Sequence, residues 1–339
     1  MCVVFGCAIK REVAPVITGE ALSRASFVGH DSSGIALIGD KTVEIYRGAK
    51  PVGDLLADLD LMGMRARACI GHLRWATHGA PYEANAHPLR GCQGILALAH
   101  NGIIENFSSL KEQLEASGHI FSSKTDSEVL VHLVEEKVKS SLSIPEAISA
   151  AIEEVEGSLA IVLLHAGEPD SVFCACRGSR LFVAEGEEGA FCSSELACLH
   201  GLAERYTRLG DGQVAILRPD GLEVLGEKAV EMEPFGFGLE EAKRNGFSHM
   251  LLREIWEQAE CLANALRLQK PYLDQMARML CDSEEIFLVG EGSSYNACLA
   301  ASYIFSSIAY QAAHAVKLSE FLDHYGEALN AVSYTPLRA

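Results

Sequence analysis

Short apolar or β-branched runs bounded by Gly, Asp or Pro fall at residues 2–9, 34–38, 43–47, 68–72 and 95–99, and predict strands. Helical periodicity follows at 108–117 and 127–139, the second behind Thr125-Asp126 as a cap. A third helix covers 144–156, with Pro145 near its first turn. Strands return at 158–165, 171–176, 181–184 and 213–217, then at 222–225 after the Pro219-Asp220-Gly221 turn. Strands, helices, then strands again predict an α+β layout of sheets stacked face to face with helices outside.

The length of 339 residues predicts a second domain. Acidic residues, Pro234 and the glycines Gly236, Gly238 and Gly246 interrupt the apolar pattern over 226–246, which reads as a linker. Beyond it come helices at 248–268 and 272–281, a strand at 285–289, a Gly-Ser loop and a helix starting near Tyr295. That is the opening of a parallel α/β domain, and the chain stops before such a domain is complete.

The formal net charge of −18 argues against a nucleic-acid partner, which needs a basic stripe. No run is apolar and long enough to span a membrane. Residues 2–9 lack a preceding basic region and read as a buried strand, not a signal peptide. The eleven cysteines are scattered and form no CxxC pair; Cys174 and Cys176 have one residue between them and no His-rich segment nearby. The spacing predicts no metal site and no cofactor. It predicts small apolar core residues in a reducing compartment, the cytoplasm.

Cys2 follows Met1 directly, and its small side chain permits removal of Met1. The product is a thiol and a free α-amine on one residue. With a pKa of about 7.7–8.0, the amine is a base for its own thiol. Alone, such a cysteine is ordinary. Three further segments bear on it. Gly71-His72-Leu73-Arg74-Trp75-Ala76-Thr77-His78-Gly79 ends a strand, and Arg74 suits bidentate grip of a carboxylate or a plain surface position. Asn101-Gly102, within His100-Asn101-Gly102-Ile103-Ile104-Glu105-Asn106, reads on its own as a hairpin turn, and otherwise as two donors for an oxyanion. Asp126 reads as a helix cap or as an anion for an ammonium group. Nucleophile, oxyanion donors, cation and anion together describe a free amino acid with a side-chain amide, such as glutamine.

These segments resemble a known family. Cys2 with Gly6, Gly29-His30-Asp31-Ser32-Ser33-Gly34, Arg74 to Gly79, Asn85-Ala86-His87-Pro88, His100 to Asn106 and Thr125-Asp126 occur in order. They resemble the glutaminase domain of the glutamine:fructose-6-phosphate amidotransferases. Ser193-Ser194-Glu195-Leu196-Ala197, His249-Met250, Arg253-Glu254-Ile255, Glu257-Gln258 and Gly292-Ser293-Ser294-Tyr295-Asn296 extend the likeness to about residue 331.

The resemblance implies an N-terminal-nucleophile hydrolase, an αββα sandwich over 2–225, a linker at 226–246 and the start of a sugar-isomerase (SIS) domain at 247–331. Residues 332–339 depart from the pattern and read as a non-native tail. It implies Cys2 as nucleophile, Asn101 and Gly102 as the oxyanion hole, and Arg74, Thr77, His78 and Asp126 around glutamine. Trp75 would gate an ammonia channel, with a packed core indole as the alternative. Ser293 and Ser294 would cradle a sugar phosphate. The implied substrates are glutamine and fructose 6-phosphate, in amino-sugar synthesis, and the implied assembly is a homo-oligomer formed through complete isomerase domains. Alternatives are an amidotransferase of the same type for another sugar phosphate, and a non-catalytic regulatory homologue. Val3 and Val28 stand where the family usually has Gly and Arg, which bears on how the N-terminus is positioned.

Overall fold

A computed structural model describes residues 2–75, 82–226, 231–236, 238–239, 247–266, 270–283 and 285–325. The chain divides into two compact units, Met1–Arg267 and Leu268–Ala339.

In the first unit the strands are β1 (Val3–Ile9), β2 (Ser32–Ile38), β3 (Val43–Gly48), β4 (Ala68–Arg74), β5 (Leu89–Arg90), β6 (Leu96–Ile104) and β7 (Gly157–His165). They continue with β8 (Val172–Arg177), β9 (Phe182–Gly186), β10 (Gly189–Ser193), β11 (Arg205–Arg208), β12 (Val214–Arg218), β13 (Gly221–Leu225) and β14 (Glu233–Pro234). One sheet runs β14-β11-β9-β10-β1-β4-β2-β3 and the other β13-β12-β8-β7-β6-β5. The helices are α1 (Ala14–Arg24), α2 (Val52–Ala57), α3 (Phe107–Ala116), α4 (Glu128–Lys139), α5 (Ile144–Glu154), α6 (Leu196–Leu199) and α7 (Met250–Leu266).

Alternation along the strands builds the layers, because successive side chains point to opposite faces. On β1, Val4 and Ala8 join Ala36, Ile70, Ala97, Ala99, Ala160 and Val162 in a core between the two sheets. Val3, Phe5, Cys7 and Ile9 face the other way and pack with Ala14, Ala21 and Leu22 of α1. On the far side, Leu96, Leu98, Leu159 and Ile161 pack against Leu110, Leu114, Val131, Val134, Ile148 and Ile152 of α3, α4 and α5. With both sheet faces covered, the strands read as continuous apolar runs. The result is the four-layer αββα sandwich.

Three local expectations change. Asn101-Gly102 is not a turn: β6 runs on to Ile104, with Asn101 opposite Ala160 and Gly102 opposite Leu159 on β7. The two faces of β6 are buried by different layers, and that pairing outweighs the turn propensity of the dipeptide. Asp126 is not the helix cap, a position taken by Ser127. Part of the segment read as linker belongs to the first unit: β14 pairs with β11, Arg205 opposite Pro234, and Phe235 packs edge-on against Tyr206. Helix α7 also lies in this unit. Arg253 on α7 is 2% exposed and donates to Glu195 at 3.0 Å and Glu257 at 2.8 Å, and Arg180 completes the ionic group. A charge buried this deeply is held only where carboxylates meet it.

In the second unit, β15 (Phe287–Gly290) pairs in parallel with β16 (His314–Lys317), and α9 (Ser293–Ile304) connects them, after α8 (Lys270–Cys281) and before α10 (Leu318–Tyr325). Among the described residues no helix is long and apolar enough to cross a membrane. Residues 332–339 lie outside those described.

Candidate active site

The inward alternation that places Val4, Ile70 and Ala99 between the sheets also carries Cys2, His72, Arg74 and Asn101 to the same gap at its open end. β1 pairs with β4, Val3 opposite Leu73, so Cys2 lies beside the Arg74–Trp75 junction. The Trp75 backbone N–H donates to Cys2 Sγ at 3.2 Å, and Sγ lies 3.4 Å from the Trp75 carbonyl oxygen. Trp75 is 39% exposed. Val3 and Val28 pack on the helix side of the sheet, away from this gap.

Asn101 is held from three directions. Its Nδ2 donates to the Cys2 carbonyl at 2.8 Å and to Ser194 Oγ at 3.0 Å, and its Oδ1 lies 3.0 Å from His72 Nε2. His72 Nε2 is also 3.1 Å from the His100 carbonyl, so with two acceptors in front of it this nitrogen carries the ring proton. Burial, reinforced by the Arg74 charge, holds the His72 imidazole down to about 3. His87 stacks on His72 with ring centroids 4.5 Å apart, and burial pushes both His87 and His100 down as well. All three rings are neutral, and His72 donates to the Asn101 carbonyl oxygen, which turns the amide N–H groups toward Cys2. His72 and Ser194 were not singled out from the sequence. The only signal was their position beside recognised residues, since a buried His in a strand reads as core.

Gly102 has φ +138°, and a Cβ there would sit 2.0 Å from the Ser158 carbonyl oxygen, so no other residue fits. Gly102 is exposed at the mouth of the gap.

Arg74 and Asp126 bring opposite charges to the site, both buried, at 4% and 5% exposure. Asp126 Oδ2 accepts the Ile104 N–H at 2.8 Å and Oδ1 accepts Ser127 Oγ–H at 3.3 Å, tying the start of α4 to β6. Burial lowers the Arg74 value, while Cys2, Asp126 and Asp31 oppose it. Burial raises the Cys2 thiol, Asp126 adds to this, and the Trp75 N–H and Arg74 act against it. The thiol is therefore not a standing thiolate; it needs a base. Thr77 and His78 lie outside the described residues; among the described residues, none of Cys2, Arg74, Asn101 or Asp126 falls in a cluster of candidate metal ligands.

A family profile described as glutamine amidotransferase domain matches residues 72–201. The glutamine–fructose-6-phosphate aminotransferase (isomerizing) of Thermococcus kodakarensis is 34% identical over 326 residues, covering 95% of this chain and 54% of that protein. The protein of the same name from Helicobacter pylori is 35% identical over 307 residues, covering 89% and 51%. Among solved structures, glutamine phosphoribosylpyrophosphate amidotransferase from B. subtilis, complexed with ADP and GMP, aligns with a TM-score of 0.57. It is 25% identical and covers 70% of this chain and 50% of that one. The chain spans about half the length of the curated relatives it matches. Residues 72–201 thus match a glutamine amidotransferase domain, and nearly the whole chain is similar to about half of the glutamine–fructose-6-phosphate aminotransferases named above.

Proposed function

We propose that the first unit hydrolyses glutamine at Cys2 and that the whole protein passes the ammonia to fructose 6-phosphate, giving glucosamine 6-phosphate and glutamate. The observation that carries this is Asn101, turned by His72 so that its amide N–H groups meet Cys2.

In the sequence as encoded, the Cys2 nitrogen is an amide; removal of Met1 makes it an amine. The amine takes the thiol proton as Sγ attacks the side-chain amide carbon of glutamine. The oxyanion that forms replaces one of the two present acceptors of Asn101 Nδ2 and takes the Gly102 N–H. The α-ammonium returns its proton to the leaving nitrogen, ammonia departs, and a glutamyl thioester remains on Cys2. Water then releases glutamate. Arg74 holds the α-carboxylate of glutamine and Asp126 its α-ammonium, and the family likeness adds Thr77 and His78 as further glutamine-binding residues. The exposed Trp75 indole lies on the exit route of the ammonia.

A glutamine-analogue electrophile tests this reading: mass spectrometry should find one adduct, on Cys2. An unlabelled Cys2 in a protein freed of Met1 would refute the mechanism. Because burial raises the thiol, the reaction waits on the neutral amine. We expect kcat/KM for glutamine hydrolysis to rise with pH through about 7–8 and then level off. A rate already flat below that range would mean a preformed thiolate. Arg74→Ala is expected to lower kcat/KM about 10- to 100-fold, mainly through KM, the worth of one charge-assisted pair.

For the second unit we propose the opening of a sugar-isomerase domain. The β15–α9–β16 crossover, with Gly292 at φ +57° and exposed Ser293 and Ser294 at the start of α9, suits a sugar-phosphate cradle. Exposed Tyr303, Ile304 and Ile308 support association between copies through this unit. Eleven free cysteines support a cytoplasmic location.

A further inference from the structure

Four side chains able to ligate a metal converge where the loop between β5 and β6, the segment after α3 and one face of α4 meet. Cys92 Sγ lies 3.5 Å from His119 Nδ1 and 3.6 Å from His132 Nδ1. The two Nδ1 atoms are 3.2 Å apart, and Glu135 Oε2 is 3.3 Å from the first and 3.6 Å from the second. All four ligand atoms lie within 4.8 Å of one another. Zinc sits about 2.3 Å from sulfur, about 2.0–2.1 Å from imidazole nitrogen and about 2.0–2.2 Å from carboxylate oxygen. A tetrahedron with those radii has edges of about 3.3–3.6 Å. Five of the six separations, at 3.2–3.6 Å, lie on or close to that frame. We propose that Cys92, His119, His132 and Glu135 form a structural zinc site.

The surroundings argue for a cation over a plain hydrogen-bonded cluster. His119 Nε2 faces Glu136 Oε1 at 3.2 Å, and His132 Nε2 faces Glu128 Oε1 at 3.7 Å. With the ring proton on Nε2, as ligation through Nδ1 requires, Glu136 and Glu128 stand where outer carboxylates face zinc-bound histidines, and both Nδ1 lone pairs point inward. Two ring lone pairs and a carboxylate then converge, with one thiol proton among them. A divalent cation resolves this.

The ligand positions are already fixed. Glu135 accepts the backbone N–H groups of Cys92 at 3.0 Å and Gln93 at 2.8 Å, and Ile120 N–H donates to Cys92 Sγ at 3.4 Å. Binding releases the Cys92 thiol proton to solvent, so thiolate and carboxylate neutralise Zn²⁺. A thiolate with two imidazoles selects zinc over the oxygen-seeking Mg²⁺ and Ca²⁺, and four protein ligands leave no open position for substrate. The metal would pin α4, whose first turn follows Asp126 and Ser127. Cysteine spacing predicts no metal site because these ligands come from three separate segments. Only His132 and Glu135, one turn apart on α4, stand close in the chain.

The test takes the full chain, stripped with a chelator and titrated with Co²⁺ and then Zn²⁺. One equivalent of Co²⁺ should give the visible bands of a tetrahedral ion and a thiolate charge-transfer band, both removed by one equivalent of Zn²⁺. In Cys92→Ser the charge-transfer band should vanish, and in His132→Gln the affinity should fall at least about tenfold. Cys92 is exposed, so its variant is expected to keep the fold, checked by circular dichroism. The proposal fails if wild type shows no tetrahedral cobalt bands, or if the charge-transfer band survives in Cys92→Ser. These readouts do not depend on glutamine hydrolysis.

Discussion

Glutamine hydrolysis by a Cys2→Ala variant is expected to fall on the order of 10⁴-fold or more below wild type, as for loss of a covalent nucleophile. The effect is large because, in the proposed mechanism, Sγ forms the bond and the neighbouring groups serve only what happens at it. Trp75 N–H directs Sγ, Asn101 holds the Cys2 carbonyl, and neither supplies a substitute nucleophile. The fold should not suffer. Cys2 precedes β1, is half-buried, and leaves the Val3–Ile9 pairing with β4 and β10 untouched. Glutamate release should therefore vanish while the unfolding free energy changes by about 0.5 kcal/mol or less. Glutamate release within tenfold of wild type would mean that a different residue attacks the amide.

Asn101→Ala is expected to lower kcat about 10²- to 10³-fold with little change in KM, the usual cost of one oxyanion donor. That split distinguishes the two readings of Asn101. A donor that acts on the tetrahedral oxyanion affects the transition state alone, whereas a group that only shapes the pocket raises KM. Steady-state kinetics on glutamine decide between them, and a rise in KM at unchanged kcat would remove Asn101 from the oxyanion hole. The variant also removes the amide's contacts with His72 and Ser194, so a modest loss of stability should accompany it. His72→Phe offers a separate check on positioning. It leaves the Asn101 amide in place but frees it to turn, and part of the kcat loss should follow.

Most of the fold was legible from the chain because the strands of the first unit carry apolar residues on both faces, and the three helices from 107 to 154 carry an apolar stripe. Helix α1, with weak periodicity, and the short elements α2, α6, β5, β10, β11 and β14 did not stand out. Candidate residues were legible where unusual polar groups follow a strand, as Arg74 and Asn101 do. His72 was not, because a histidine within an apolar strand looks like core until its partner on β6 is known. On its own the Asn101-Gly102 pair reads as a turn, because the dipeptide favours one locally. Pairing with β7 over nine residues overrides that preference.

By itself the sequence determined that a thiol follows Met1, that a strand leads away from it, and that an amide side chain, a cation and an anion stand in segments expected to serve one amide substrate. Tertiary structure alone decided that Cys2, His72, Arg74 and Asn101 share the gap between two sheets. It also decided which way the Asn101 amide faces, and that Cys92, His119, His132 and Glu135 meet at one point. The reason is physical. Strand alternation fixes which face a side chain takes, but the partner across that face is set by sheet pairing and layer stacking, which join residues far apart in the chain.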